Sequence, residues 1–281
     1  MSIETPRRAR RVDLTVTDRA IEVVARDHPA GHDTGWHTHR RAQLIYAAEG
    51  VMGVTTAEGV WITPPERAVW VPAGTVHRVA ARSALRMRNL FVKADARPAL
   101  PGTCTVVTVS PLMRELIEEA GRLDAEYDPA GADGRLMAVL LDRIETLPAT
   151  PLHLPMPSDT RLRRITEALA AEPGDDRTLA EWAPDAGASA RTLARLFQRQ
   201  AGMTFGAWRQ QARLLAALER LADGQPVTTV ALDLGYDSPS AFSAMFKRAL
   251  GATPSGYFKA SGEPQSVRQQ LDAGQRQEAV A

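Results

Sequence analysis

Cysteine is almost missing from this chain: Cys104 is the only one in 281 residues. A single thiol excludes an intramolecular disulfide framework. Also missing is an early apolar run of the kind that opens a signal peptide or crosses a bilayer, so the cytoplasm is the expected compartment. Net charge is scarce as well, since 34 Lys and Arg against 33 Asp and Glu leave a formal +1. The chain has no overall attraction to polyanions, and any nucleic-acid surface must come from uneven placement of its charges. Histidine is rare but unevenly placed. Of six, His28, His32, His37, His39 and His77 fall in one short part of the chain.

With 44% hydrophobic and 24% charged residues, this is an ordinary globular composition with room for two domains. From Arg11 to Val92 the pattern is β-rich, in short runs such as "IEVVA", "AQLIYAA", "VMGVTT", "GVWIT", "AVWVP" and "LRMRNLFV". Turn residues separate them, which predicts a barrel or sandwich. From Ser110 the period becomes helical. Leu112, Met113, Leu116, Ile117, Ala120 and Leu123 form one apolar stripe, and Leu136, Val139, Leu140, Ile144 and Leu147 form another. Such a helix pair either covers the barrel or mediates two-fold pairing of subunits. The stretch "LPATPLHLPMPSD" is too rich in proline to continue a helix and reads as a linker. The expected division is a basic arm at 1–11, a sensor barrel at 12–103, a helical linker and dimerisation region at 104–147 and a proline-rich linker at 148–158. A helical domain at 159–260 and a polar tail at 261–281 complete it.

The helical domain holds an internal repeat. "TLAEWAPDAGASARTLARLFQRQAG" divides into a short helix, a turn at Gly187 and a second helix capped by Ser189, with Leu193, Leu196 and Phe197 facing inward. Arg191, Arg195 and Arg199 recur every fourth position on another face, and five arginines with no acidic residue lie between Gly187 and Leu218. "VTTVALDLGYDSPSAFSAMFKRALGATPSGYF" repeats the plan, with its turn at Gly235, a cap at Asp237 or Ser238, and Phe242 and Phe246 inward. Between the units "TFGAWRQQARLLAALERLAD" predicts a helix of about 19 residues and about 28 Å. That length approaches the ~34 Å between successive major-groove faces on one side of a duplex. Pro184, inside the first short helix, is expected to break a backbone bond and bend the chain there.

These two strings resemble the DNA-binding domain of the AraC/XylS family of transcription regulators, over about the last third of the chain. The resemblance implies two helix-turn-helix units with reading helices near 189–200 and 238–249. It places Arg191, Ala194 and Arg195 toward bases and Gln198 and Arg199 toward the backbone, beside Ser189 and Thr192. In the second unit it places Pro239, Ser240, Ser243 and Ala244 toward bases, followed by Lys247 and Arg248. Because bidentate arginine contacts to guanine discriminate by ~1–3 kcal/mol and serine or alanine by less, the first unit is expected to carry most direct readout. The second is expected to position the protein through phosphates.

The spacing Gly31, His37, His39, Gln43, Gly50, followed by Pro72, Gly74 and His77, resembles the two motifs of the cupin barrel. In cupins such positions hold a metal through three histidines and a carboxylate. Here Gln43 stands where glutamate is usual, and Ala81 where the second motif often has asparagine. Strand alternation puts His37 and His39 on one face, with Gln43 in parity. Three imidazoles and an amide oxygen would suit Ni, Zn, Fe or Mn, held more weakly for want of a carboxylate. The alternative is a pocket lined by histidines without metal. His28 and His32 show no pairing at strand spacing, and Trp36, Trp61 and Trp70 read as core, Trp36 adjoining the cluster. Arg86 and Arg88 either reach an acidic effector or face water.

The expected fold is α+β, an N-terminal cupin-like β-barrel followed by an all-α tandem helix-turn-helix domain. The expected function is a DNA-binding regulator that responds to a small molecule or metal in the barrel. Its partners are then promoter DNA, an effector, a second copy of the chain and RNA polymerase, with no membrane. The barrel strings resemble a subgroup of cupin-bearing regulators, some of which control neighbouring transporter genes. The competing reading is a metal-dependent cupin enzyme with an appended helical domain; no additional acid or base is placed for catalysis, so no enzymatic activity is expected.

Overall fold

The computed structural model describes residues 9–12, 17–64, 66–97, 100–145, 147–150 and 152–260. The tail expected at 261–281 and the first eight residues of the basic arm lie outside them. Ten strands come first: β1 (Arg10–Arg11), β2 (Ile21–His28), β3 (His37–Thr38), β4 (Ala42–Glu49), β5 (Met52–Thr56), β6 (Gly59–Thr63), β7 (Arg67–Val71), β8 (His77–Ala81), β9 (Leu85–Val92) and β10 (Thr105–Thr108). Helices α1 (Pro111–Ala120) and α2 (Ala132–Glu145) follow, then two short strands, β11 (Ala149–Thr150) and β12 (His153–Pro155). The strands form two sheets of six, ordered β1-β3-β8-β5-β6-β12 and β11-β10-β7-β4-β9-β2.

The run "AQLIYAA" is apolar throughout because β4 lies at the centre of the second sheet with both faces covered. Ile45 and Ala47 point into a cluster with Met52, Val54 and Trp61 of the facing sheet. Leu44 and Tyr46 point the other way, into a cluster with Met113, Ile117 and Leu140 of the two helices. The helix pair therefore covers the barrel, and Met113, Ile117 and Ala120 are the buried part of the first stripe. Leu112 and Val139, assigned to the same stripes by period, are instead 56% and 42% exposed.

The proline-rich segment read as a linker is bound into both sheets. β11 pairs antiparallel with β10, and β12 pairs with β6 through His153↔Trp61, Leu154↔Val60 and Pro155↔Gly59. Both strands sit at sheet edges, where a proline removes no ladder bond that a neighbour needs.

Seven helices complete the chain: α3 (Thr160–Ala171), α4 (Leu179–Ala186), α5 (Ala190–Ala201), α6 (Phe205–Ala222), α7 (Val227–Asp233), α8 (Pro239–Leu250) and α9 (Pro254–Ala260). Side-chain caps set their starts: Ser189 accepts from Thr192 N, Thr204 from Ala207 N and Ser238 from Ala241 N, and Thr178 with Glu181 forms a reciprocal capping box on α4. Gly187 and Gly235, at φ 62° and 74°, make the left-handed turns between each pair of short helices. The backbone bond expected to be lost at Pro184 is lost with its missing N–H, but the helix is not ended there: α4 runs on to Ala186, two residues beyond. Leu193, Phe197, Trp208, Phe242 and Phe246 are fully buried, and their cluster continues without interruption into Leu154, Trp61 and Val54 of the barrel. The two halves thus share one continuous apolar cluster.

Candidate functional site

The strand pairing brings the three motif histidines together. His37 lies directly across from His77 in the β3–β8 pair. Ring centroids are 4.3 Å apart for His37 and His77, 4.9 Å for His37 and His39, and 5.3 Å for His39 and His77. One ring nitrogen from each lies within 4.8 Å of the others, and all three residues are buried. Gln43, 4% exposed, reaches His77, with Oε1 and Nε2 of the two side chains 3.1 Å apart.

Each ring has one nitrogen committed to the backbone. His37 Nδ1 lies 2.9 Å from the Gly35 carbonyl and His77 Nδ1 3.0 Å from the Thr75 carbonyl, while His39 Nδ1 meets the carbonyl of Val12. A carbonyl only accepts, so each Nδ1 carries the hydrogen and donates it, which fixes the tautomer and leaves the Nε2 lone pair. Burial disfavours the charged form of two of the rings: it pushes His77 down to about 3, with His37 adding repulsion, and it lowers His37 as well. Three imidazoles anchored through Nδ1 to carbonyls are the orientation that metal-ligating histidines adopt.

Asn89 completes the site, and sequence reasoning missed it. Gln43 Nε2 donates to Asn89 Oδ1 of β9 at 2.8 Å, and both side chains are buried. Behind His39 stands Phe91, edge to face at 5.0 Å. His28 and His32 do not join the cluster; they stack on each other at 4.0 Å. Trp61 and Trp70 are core and Trp36 is half-buried. Arg86 and Arg88 both pair with Glu118 of α1, at 2.8 and 3.2 Å, tying β9 to the helix that covers it, while Arg86 stays 40% exposed and also pairs with Glu49.

On the helical side, α5 and α8 are the second helices of the two repeats. Arg191, Ala194, Arg195, Gln198 and Arg199 are exposed along α5, with Ser189 exposed at its cap and Thr192 half-buried and bonded to Ser189. Ser240, Ala244, Lys247 and Arg248 are exposed along α8, with Pro239 and Ser243 half-buried. Among the described residues no carboxylate lies within 4.0 Å of Arg191, Arg195, Arg199, Lys247 or Arg248. Elsewhere in the domain arginines are neutralised: Arg161 by Asp159, Arg163 by Glu167, Arg177 by Asp175 and Asp185, Arg220 by Asp233. A nearly neutral chain thus keeps these cations unpaired with carboxylates on α5 and α8, as a phosphate-facing surface requires.

Comparison with known proteins agrees with both halves. Residues 20–140 match a family described as an AraC-like ligand binding domain, and residues 182–260 match one described as a helix-turn-helix domain. The chain is 37% identical over 234 residues to the HTH-type transcriptional regulator NimR of Escherichia coli, covering 83% of this chain and 85% of that protein. It is 32% identical over 145 residues to the arabinose operon regulatory protein of the same organism, covering 50% of this chain and 47% of that one. A third relative, the HTH-type transcriptional regulator RipA of Corynebacterium glutamicum, matches at 36% over 101 residues, 36% of this chain and 30% of that one. No helix among the described residues is long and apolar enough to cross a membrane. The chain belongs to the AraC family of transcription regulators, with an effector-binding barrel joined to a DNA-binding helix-turn-helix domain.

Proposed function

We propose that the effector is a divalent metal ion bound in the barrel, and that its occupancy governs operator binding by α5 and α8. The observation that carries this is that His37, His39 and His77 each place Nδ1 on a backbone carbonyl while one ring nitrogen from each lies within 4.8 Å of the others. A neutral His77 presents a lone pair toward Gln43 Oε1, 3.1 Å away, and two acceptors at that distance repel unless a cation lies beside both. Without metal, turning the Gln43 and Asn89 amides over restores a donor to each acceptor, so the pair has one arrangement for each state. Nitrogen ligands favour the later divalent metals, Ni, Zn or Fe over Mn, and a neutral amide in place of a carboxylate weakens retention. Such an exchangeable site suits a sensor.

Subunits pair, in this reading, through α1 and α2, whose exposed Leu112 and Val139 are the apolar positions left over after the barrel is covered. The test is a tryptophan-fluorescence titration of chelator-stripped protein with Ni, Zn, Mn and Fe(II), followed by operator binding with and without the ion. A saturable change lost in His37→Ala is the expected result. No change, with metal content near zero by mass spectrometry, would make the histidines the lining of an organic effector's pocket.

A further inference from the structure

Arg213, midway along α6, spends its guanidinium on the main chain. Nε donates to the Pro173 carbonyl at 2.9 Å, and Nη2 reaches the carbonyls of Gly174 and Asp175 at 3.3 and 3.4 Å. Successive carbonyls are matched by a planar fork with several donors and a permanent charge, which a lysine ammonium cannot imitate. The same guanidinium lies over Tyr236, 5.6 Å from the ring centre. Arg209, one turn earlier on α6, holds the next two carbonyls, those of Asp176 and Arg177, at 2.8 and 3.1 Å.

The groups that Arg213 grips belong to different reading units. Residues 173–177 connect α3 to α4 and are fixed to the first unit: Arg177 pairs with Asp185 of α4 at 3.2 Å and lies 3.4 Å over the Trp182 ring. Tyr236 follows the Gly235 turn of the second unit and meets Phe242 of α8 edge to face at 5.4 Å. Here the units touch main chain to main chain. A methyl on Gly174 would stand 2.4 Å from the Asp233 carbonyl oxygen, and one on Gly235 would stand 2.7 Å from the Gly174 carbonyl oxygen and 2.9 Å from Arg213 Nη2. Gly174 has no left-handed backbone to require glycine, so close approach is what excludes a side chain there. The length of α6 sets the distance between the units, and this contact bears on the angle between them.

We propose that Arg213 is a positioning residue for DNA binding: by clamping the 173–175 backbone to Tyr236 it holds α5 and α8 at the angle at which both meet one face of a duplex. It acts through the two loops it joins. With α5 anchored by its own arginines, releasing the clamp lets α8 turn away from the phosphates, so the contacts of the second unit fade first. The inference rests on DNA binding by the helical half and is indifferent to what the histidines hold.

The test is hydroxyl-radical footprinting of the full-length protein on a duplex obtained by binding-site selection, with wild type, Arg213→Met and Gly174→Ala. For each bound subunit the wild type should protect two stretches about one helical turn apart. Arg213→Met should keep the protection and the base preference of the stretch that Arg195→Ala alters. It should lose about threefold or more of the protection at the other stretch, and its salt dependence should fall by about two counterions, those of Lys247 and Arg248. Gly174→Ala, which leaves Arg213 in place and wedges the contact open, should give the same pattern. A single protected stretch per subunit in wild type, an unchanged second stretch in a folded Arg213→Met protein, or equal weakening of both stretches, as a general loss of stability produces, would overturn the proposal. If Arg213→Met does not fold, an unchanged or evenly weakened footprint in Gly174→Ala overturns it equally.

Discussion

Gln43 is where the barrel departs most from a metal centre with a carboxylate, and Asn89 holds it in place. Asn89→Leu should leave the barrel folded but free the Gln43 amide, lowering metal affinity ~10–100-fold, the usual effect of removing an orienting partner. Gln43→Glu should have the opposite effect, tightening retention by adding the missing negative charge; competition against a chromogenic chelator reads both. A second residue-scale prediction concerns Asp159, which caps α3 by accepting from Arg161 N and also pairs with the Arg161 side chain. The hydrogen bonds from that guanidinium hold its carboxyl at about 2, below the ordinary 3.8. A carboxylate with a lowered folded value stabilises above the unfolded value, and that contribution is lost as pH falls toward the folded one. The urea midpoints of wild type and Asp159→Asn should therefore converge as pH falls from about 5 to about 2, while Asp159→Ala costs ~1 kcal/mol at neutral pH for the lost cap. The histidines, Gln43 and the caps were legible because local spacing determines them. Asn89 was not, since it meets Gln43 only through the pairing of β4 with β9, and Glu118 escaped notice as the partner of Arg86 and Arg88 for the same reason.

At the scale of elements, α5 and α8 are built alike but armed differently. α5 exposes three arginines, whereas the corresponding stretch of α8 begins with Pro239, Ser240, Ser243 and Ala244 and places its cations, Lys247 and Arg248, in the last turn. Arg195→Ala should relax base preference at one position of a selected binding site and cost ~1–3 kcal/mol on the preferred sequence. Lys247→Ala should weaken all sequences alike and reduce the salt dependence by about one counterion. Binding-site selection on the two variants checks both, and equal information in the two half-sites would refute the division. The repeat was legible because caps, left-handed glycines and inward aromatics recur in one order. The strands of the connecting segment were not legible, because a proline-rich stretch with no alternation gives no strand signal and only a sheet edge accommodates it.

For the whole molecule, the division into a β half and a helical half was visible in the change of hydrophobic period from two to about 3.6. How the halves meet was not, since it depends on which faces of finished elements remain apolar. Two such faces matter. That of α1 and α2 leaves Leu112 and Val139 outside, and Leu112→Glu with Val139→Glu should shift the protein toward monomer in sedimentation equilibrium, with unchanged circular dichroism and weakened binding to a two-site operator. The other joins the barrel to α6 through Leu154 and Trp208.

That second face bears on how the chain can be cut. β12 gives its backbone to the barrel and the Pro155 carbonyl to Trp208, so the covalent connection belongs to both halves at once. A helical fragment begun at residue 148 would carry two orphaned edge strands, and one begun at 158 would bare the indole of Trp208 and the apolar side of α6. Both fragments should aggregate where the full chain does not. For the same reason a chimera that exchanges reading heads between relatives should stay soluble only when β12 and the α6 surface it touches come from one parent.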